Sequence, residues 1–583
     1  MWILGVNRSH DAAICLMKDN DVVLSIQEER LTHVKFDREV FNALDKVAEI
    51  TKEIDLCAYT HLYNNKCDFG PYFKYIKRIG IKVKRYVEAK DYHHSLHASC
   101  AFYNSGFDKA GILVIDGAGA DHKWGKEHES IFYFDQDPNS TTCLSQKIVG
   151  YSNQKVEGAP SYVHPTKNIG TGFVYSGITE YLGWDSLECG KTMGISSYGK
   201  PNDRIKQMIS EDGGNENIFT LTDFNELNNV NVVVRPYDYI AYSKDEDDKF
   251  QRHADLAYRL QEDFEEYVYQ RIMDTHRLSG CNDIIFTGGC ALNCVGNYRI
   301  LQRLPKHINL YVEPMSSDCG TAMGAAYITY ARECPKQYRR KKIRPLSHLY
   351  FGQPIKYDYE LKDNEFRVCE VTPQRVAELI SDGNVVAICQ GRSENGPRAL
   401  GNRSILYDPR AVDGKDVVNK VKKREYWRPF AGTVLADHAQ EWFDMDRLYE
   451  SPHMMYAVNV LKSMIEKIPC ITHVDGTCRI QTLTEEQNPN YYKLIEAFYE
   501  LTGVPILFNT SFNLAGDTIV ETIDDALLTM RESEICYLYL PEKAELLFIP
   551  DASEPSIERL TSCLLYTSPS PRDLSTSRMP SSA

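Results

Sequence analysis

The sequence predicts a mixed α/β and α+β protein built from two large domains, and three observations lead there. A three-strand meander opens the chain, a similar pattern returns after residue 110, and strand-like runs restart beyond residue 352. Length agrees, because 583 residues exceed what one core organises at ~100–200 residues per domain.

The first meander reads as a strand from Trp2 to Val6, a polar turn over Asn7–Asp11 and a second strand from Ala12 to Met17. The Lys18–Asp21 turn and a third strand from Val22 to Ile26 complete it. The strand Gly111–Asp116, the Gly-rich turn Gly117–Ala120 and the strand Ile131–Phe134 repeat this design, so the N-terminal domain is expected to be duplicated. His93–Tyr103 and Ala254–Thr275 place apolar residues three and four apart and predict helices. A basic, Pro-interrupted stretch, Arg332–Arg344, precedes new strand-like runs such as Val385–Cys389, which puts the boundary near Gln353. The expected domains are therefore residues 1–352 and 353–553. Residues 554–583, rich in Ser, Pro, Thr and Arg, are expected not to pack, and the part from Cys563 onward reads as translated cloning or library sequence.

Composition narrows the function. With 43% hydrophobic and 25% charged residues the chain can bury a sizeable core, and a net charge of −15 repels nucleic acid while leaving room for a local anion pocket. No apolar run approaches the ~20 residues of a membrane helix and the first six residues are too short for a signal core, so a cytoplasmic enzyme is expected. The 17 cysteines are scattered, which favours reduced core thiols, Cys290 and Cys294 included.

In the first domain, His93 and His97 share one helix face, and Asp116 and Asp318 each stand at the end of an element. Buried carboxylates need partners, and such a mixed set suits iron, manganese or zinc; the plainer alternative is that both aspartates cap turns. Asp283–Asn293 runs a strand into Gly288-Gly289 and then a helix, an arrangement that lets a ligand approach the backbone near Asn293. With the duplicated meander it matches the actin, sugar-kinase and Hsp70 type of nucleotide-binding architecture, as fold-level analogy. Glu188–Pro201, dense in Gly, reads as a substrate-facing loop in which Lys191 either neutralises a phosphate or is simply solvated.

In the second domain, Gly391–Ile405 carries Arg398 and Arg403, and Lys422–Phe430 adds Lys423, Arg424 and Arg428. Arginine forks beside a Gly-rich backbone suit a small dianion, whereas Glu425 could pair with them in a purely structural reading. His473–Gln481 contributes His473 and Arg479, and Val504–Asn513 delivers a strand into Asn509, Thr510, Ser511 and Asn513, all able to bond a ligand.

Six motifs follow in order: His93-His-Ser-Leu-His-Ala98, Gly288-Gly-Cys-Ala-Leu-Asn-Cys294, Gly396-Pro-Arg-Ala-Leu-Gly-Asn-Arg-Ser404, Arg428-Pro-Phe430, His473-Val-Asp-Gly476 and Asn509-Thr-Ser-Phe-Asn513. Together they resemble the NodU/CmcH O-carbamoyltransferase family, from about Asn7 to Leu540. The resemblance implies a TsaD-like N-terminal domain and a YrdC-like C-terminal domain. The latter would bind carbamoyl phosphate and ATP with Mg²⁺ and form carbamoyl adenylate; the former would hold a divalent metal, iron(II), and pass the carbamoyl group to a hydroxyl of a small-molecule natural product. It also implies His93, His97, Asp116 and Asp318 as metal ligands, and Arg398, Arg403, Lys423 and Arg428 as phosphate contacts. His10 or Asp11 would serve as base, and Lys191 is the third catalytic candidate. Two departures stand out: Ala120 occupies a position that is often acidic in relatives, and Ser196-Ser197 replaces Ala-Pro. Competing readings are an ATP-dependent kinase, a tRNA threonylcarbamoyl-type enzyme, disfavoured by the acidic charge, and a non-catalytic nucleotide- or metal-binding protein. The acceptor and the oligomeric state stay open, a homodimer being one form.

Overall fold

The computed structural model describes residues 1–61, 69–89, 93–122, 125–138, 140–149, 159–166, 168–215, 218–222, 231–234, 246–333, 343–361 and 365–550. The expected unpacked tail and most of the basic Arg332–Arg344 stretch lie outside them.

The first sheet contains β1 (Trp2–Arg8), β2 (Ala13–Lys18), β3 (Asp21–Gln27), β4 (Glu53–His61) and β5 (Lys82–Glu88), in the order β3-β2-β1-β4-β5. The meander β1–β3 is antiparallel, and β4 and β5 add parallel. The second sheet contains β6 (Lys109–Ile115), β7 (Asp121–His122), β8 (Gly125–Asp135), β9 (Thr142–Val149) and β10 (Val163–Thr166). Two small ribbons follow, β11 (Ile209–Ser210) with β12 (Gly213–Gly214) and β13 (Phe219–Thr222) with β14 (Asn231–Val234). β15 (Asp283–Thr287) and β16 (Asn309–Val312) then return to the second sheet, whose order is β10-β9-β8-β6-β15-β16, with β7 on β8. Its β6-β8-β9 meander is antiparallel, and β15 and β16 are parallel to β6. The two sheets thus repeat one topology, as the sequence repeat predicts.

Helices cover both sheets, so their central strands are continuously buried instead of alternating. The helix Cys319–Glu333 is buried from Cys319 to Tyr330 and is rich in Gly and Ala. Small residues let backbones touch: a Cβ on Gly5 of β1 would lie 2.0 Å from the Ala322 carbonyl, and one on Gly324 would lie 2.0 Å from the Leu96 carbonyl of the helix His93–Ser105. This second contact draws the two histidines toward Asp318. Gly324→Ala is therefore expected to destabilise the protein by about 1–3 kcal/mol, because backbone must move to admit one methyl group, a loss that chemical denaturation would read.

The second half forms one sheet of ten strands: β17 (Arg367–Glu370), β18 (Val386–Cys389), β19 (Arg403–Tyr407), β20 (Ala431–Leu435), β21 (Phe443–Asp444), β22 (Ala457–Val460), β23 (Thr477–Leu483), β24 (Ile506–Ser511), β25 (Tyr537–Leu540) and β26 (Glu545–Phe548). Their order is β17-β26-β25-β18-β19-β24-β20-β23-β22-β21. Between β18 and β19, the Gly391–Asn402 segment reaches the edge of the first sheet. Asn395 Nδ2 donates to Ser25 Oγ at 2.6 Å, Arg30 donates to the Gly396 carbonyl at 2.7 Å, and Arg392 donates to the Val23 carbonyl at 2.6 Å.

One local expectation fails. Cys189–Ser196, read as part of a loop, is a helix. Its glycines oppose helix propensity, but Gly194 lies where a Cβ would stand 3.2 Å from Pro429 and 3.3 Å from Trp427, so packing against the second half decides the conformation. Among the described residues no helix is long and apolar enough to cross a membrane, and the described cysteines are free thiols.

Candidate functional site: a metal centre beside a cation cluster

His93 and His97 project from the first two turns of the helix His93–Ser105, Asp116 follows β6, and Asp318 immediately precedes the helix Cys319–Glu333. All four are buried, and one donor atom from each lies within 4.8 Å of the others. His93 Nε2 is 3.2 Å from His97 Nε2 and 3.2 Å from Asp116 Oδ2, and 3.5 Å from Asp318 Oδ1. His97 Nε2 is 3.5 Å from Asp116 and 3.6 Å from Asp318. A tetrahedral cation with bonds of about 2.1 Å separates its donors by about 3.4 Å, so both the donor set and its spacing fit a divalent ion.

Electrostatics points the same way. Burial opposes charge on His97, yet the Asp116 and Asp318 carboxylates reverse this and push its pKa up to about 9. Burial likewise raises both carboxyls, but His93 and His97 hold Asp116 well below the usual range, and His10 and His93 bring Asp318 down to about 2. The pocket favours positive charge.

The Gly-Gly turn sits against this centre. Asp116 Oδ1 accepts from the Gly117 N–H at 2.8 Å and the Gly289 N–H at 3.3 Å. Gly288 has φ 88°, and a Cβ there would stand 2.4 Å from the Ile115 carbonyl, so only glycine fits. Asn293, expected to face a ligand, instead caps the helix Cys294–Arg303: its Oδ1 accepts from the Gly296 N–H at 3.0 Å, and its Nδ2 donates to Gln261 at 2.9 Å.

The two base candidates separate clearly. Asp11 is buried, accepting from Gln27 Nε2 at 2.6 Å and from the Cys319 N–H at 3.3 Å, which makes it an anchor for the helix that follows Asp318. His10 Nδ1 lies 3.4 Å from Asp318 Oδ2, and a third of its side chain is exposed. Lys191 pairs with Glu188 at 2.9 Å and with Glu425 of the second half at 3.2 Å.

The second centre gathers Arg398, Lys422, Arg424, Arg428 and Arg479. Burial lowers the pKa of Arg398 to about 9, with Arg479 and Arg428 adding like-charge repulsion. The same two causes lower Arg424 and Lys422 well below their ordinary values. Arg398 makes one long contact, 3.4 Å to the Leu292 carbonyl, and its Nε has no hydrogen-bond partner. Nearby, Arg428 lies 3.6 Å from Glu425, and Arg424 donates to Asn419 and to the Pro429 carbonyl while stacking 4.0 Å over Phe430.

Two expected phosphate contacts stand in surroundings that the sequence does not suggest. Arg403 is fully buried elsewhere and donates to the backbone carbonyls of Gln390, Asn402 and Glu521, so it braces the 391–404 segment. Lys423 is exposed at φ 53°, and the inward lysine is Lys422. The missed signal was helical spacing: Lys422 stands four residues after the buried Val418 at the end of the helix Gly414–Val421 and shares its face. Lys422 Nζ is held by Asn513 Oδ1 at 2.8 Å and by the Ser511 carbonyl at 2.5 Å. Asn509 is buried in β24 and donates to Thr433 at 2.9 Å; Thr510 is also buried. His473 Nε2 lies 3.3 Å from the Gly194 carbonyl, tying its turn to the helix Cys189–Ser196 instead of facing a ligand.

Comparison with known proteins agrees across both halves. The family described as Carbamoyltransferase N-terminus matches residues 71–327, and that described as Carbamoyltransferase C-terminus matches residues 377–544. The nodulation protein NolNO of Sinorhizobium fredii is 31% identical over 565 residues, covering 90% of this chain and 77% of that protein. A 3'-hydroxymethylcephem-O-carbamoyltransferase of Amycolatopsis lactamdurans is 30% identical over 273 residues, covering 47% of this chain and 49% of the relative. Among solved structures, full-length HypF in a phosphate- and nucleotide-bound form aligns with a TM-score of 0.35 and 13% identity, over 56% of this chain and 46% of HypF. With matches spanning both halves and a relative aligned over nine-tenths of this chain, the protein belongs to the NodU/CmcH carbamoyltransferase family and is a transferase enzyme.

Proposed function

We propose that this enzyme is an ATP-dependent O-carbamoyltransferase that activates carbamoyl phosphate as carbamoyl adenylate and carbamoylates a hydroxyl of a small-molecule natural product. One observation carries the reading: the two centres are joined by a single short turn. Gly289 donates to the metal-ligand candidate Asp116, and three residues later the Leu292 carbonyl receives Arg398 of the cation cluster. An activated carbamoyl group made at the arginines needs to move only along this turn. On this reading residues 1–352 form a TsaD-like transfer domain and residues 353–553 a YrdC-like activation domain.

The residues divide the work. Arg398, Arg428 and Arg479 bind the phosphate of carbamoyl phosphate and the phosphates of ATP, replacing mutual repulsion with charge-assisted bonds, while Lys422 holds the Ser511–Asn513 loop beside them. Phosphate leaves, a water oxygen completes carbamate, and the carbamate oxygen attacks the α-phosphorus of ATP as pyrophosphate departs. The acceptor oxygen then attacks the carbamoyl carbon, AMP leaves, and His10 takes the hydroxyl proton on Nε2 while Asp318 orients it through Nδ1. His93, His97, Asp116 and Asp318 would hold the ion, read as iron(II), which supplies Lewis-acid polarisation of the carbamoyl oxygen.

Incubation with ATP, carbamoyl phosphate and Fe(II) under reducing conditions tests this. Pyrophosphate release that requires carbamoyl phosphate is expected, as are products one carbamoyl unit heavier in a hydroxyl-metabolite panel; no such release would end the proposal. Within that assay, Lys422→Ala is expected to cut pyrophosphate release roughly 10–100-fold, because the Ser511–Asn513 loop loses the cation that holds it, while Lys423→Ala stays within about twofold.

A further inference from the structure

The first metal-ligand candidate, His93, is the first residue of its helix. Helix starts fray, because their leading N–H groups have no intrahelical acceptor. A ligand placed there needs an external hold, and one buried carboxylate outside the ligand set supplies it.

Glu127, on β8, is 3% exposed. Its Oε1 accepts from the His94 main-chain N–H at 3.3 Å, in the first turn of the ligand helix, and from the Ala120 N–H at 2.9 Å, in the turn after Asp116. Its Oε2 accepts from Gln146 Nε2 at 2.6 Å and lies 3.4 Å from His122 Nε2. The backbone repeats the link: the Gly119 N–H donates to the Glu127 carbonyl at 2.8 Å, and the Glu127 N–H donates to the Ala120 carbonyl at 3.2 Å. A Cβ on Gly119 would lie 2.4 Å from Glu127 Cγ, so the turn is moulded on this side chain. The next residue, His128, receives the Asp116 N–H through its carbonyl at 3.1 Å.

We propose that Glu127 is the positioning residue of the metal centre, fixing with one carboxylate oxygen both the helix turn that carries His93 and the loop that carries Asp116. It touches neither ion nor substrate. The assignment rests on the metal reading above and extends it to a residue beyond the ligand set.

Cobalt(II) titration of the purified full-length chain, followed by its visible absorption, tests this without any activity assay. Glu127→Ala and Glu127→Asp are expected to weaken cobalt binding by roughly 10–100-fold, the usual cost of losing an outer-shell support, and to alter the band shape. Glu127→Gln keeps an oxygen for both N–H groups, with the Gln146 amide turning its own oxygen to the new NH2, and is expected to stay within about threefold of wild type. The metal-free thermal midpoint of each variant identifies any that does not fold; should Glu127→Ala be one, Glu127→Asp carries the test. Wild-type affinity and spectrum in the folded alanine and aspartate variants would overturn the assignment, as would a glutamine variant as weak as alanine, which would implicate charge instead of position. Wild-type protein that binds no cobalt would instead overturn the metal reading itself, and this inference with it.

Discussion

Replacing Arg398 by alanine is expected to abolish pyrophosphate release that depends on carbamoyl phosphate and, at the same time, to raise the melting temperature of the ligand-free enzyme. The first effect follows because Arg398 has a single long contact to a carbonyl and an Nε with no hydrogen-bond partner, which leaves its guanidinium open to an anion. The second is a matter of sign. Burial and the neighbouring Arg479 and Arg428 lower its pKa from the ordinary guanidinium range to about 9. A cation with a depressed folded-state pKa weakens the fold at every pH where it stays charged, and neutral pH is well inside that range. Removing the guanidinium relieves the repulsion, whereas a bound dianion relieves it in the intact enzyme. Carbamoyl phosphate should therefore stabilise the wild type against heat and leave Arg398→Ala unchanged, which differential scanning calorimetry would read directly. A variant that kept its activity, or one that melted lower, would contradict this account of the cluster.

Replacing His97 by alanine is expected to empty the metal centre and stop carbamoyl transfer while sparing pyrophosphate release in a single turnover, since activation belongs to the arginines. The pH dependence is specific. In metal-free protein the His97 pKa is raised to about 9, so its protonation contributes stability that is fully present below the ordinary histidine range near 6.5 and is lost as pH climbs through 9. A divalent ion must displace that proton. Cobalt affinity should thus rise roughly tenfold per pH unit between about 7 and 9 and level off above. Titrations across that range would check it, and a flat profile would show that His97 carries no competing proton.

Much of the site was legible because its chemistry lies in short runs. His93 and His97 are one helical turn apart, and a turn of helix needs no tertiary information to put them on one face. Gly288 was legible as a place where something approaches the backbone closely, and the structure puts the Ile115 carbonyl there. Side-chain direction was harder to read. Lys422 and Lys423 differ by one position, yet one points inward to Ser511 and Asn513 and the other into solvent, because the helix ends at Val421 and the backbone turns left-handed at Lys423. Arg403 looked like a free anion contact in a Gly-rich run, but β19 turns it into the interior, where three carbonyls take its protons. Asp11 and Asn293 likewise proved to anchor and cap helices whose partners lie far along the chain. The helix at Cys189–Ser196 defied its own glycines because Trp427 and Pro429 press on it from the other half.

What the sequence determined by itself is the kind of chemistry present: paired imidazoles, strand-end carboxylates, arginines set among glycines, and two meanders of one design, all governed by spacings of one turn or one strand. Only the tertiary structure decided which of those groups meet. Asp318 joins the histidines because Gly324 lets two helix backbones touch, and Arg398 reaches the metal side because the Gly289–Leu292 turn lies between it and Asp116. Such meetings depend on packing between residues hundreds of positions apart, where one missing Cβ decides whether two backbones can approach, and no local pattern carries that information.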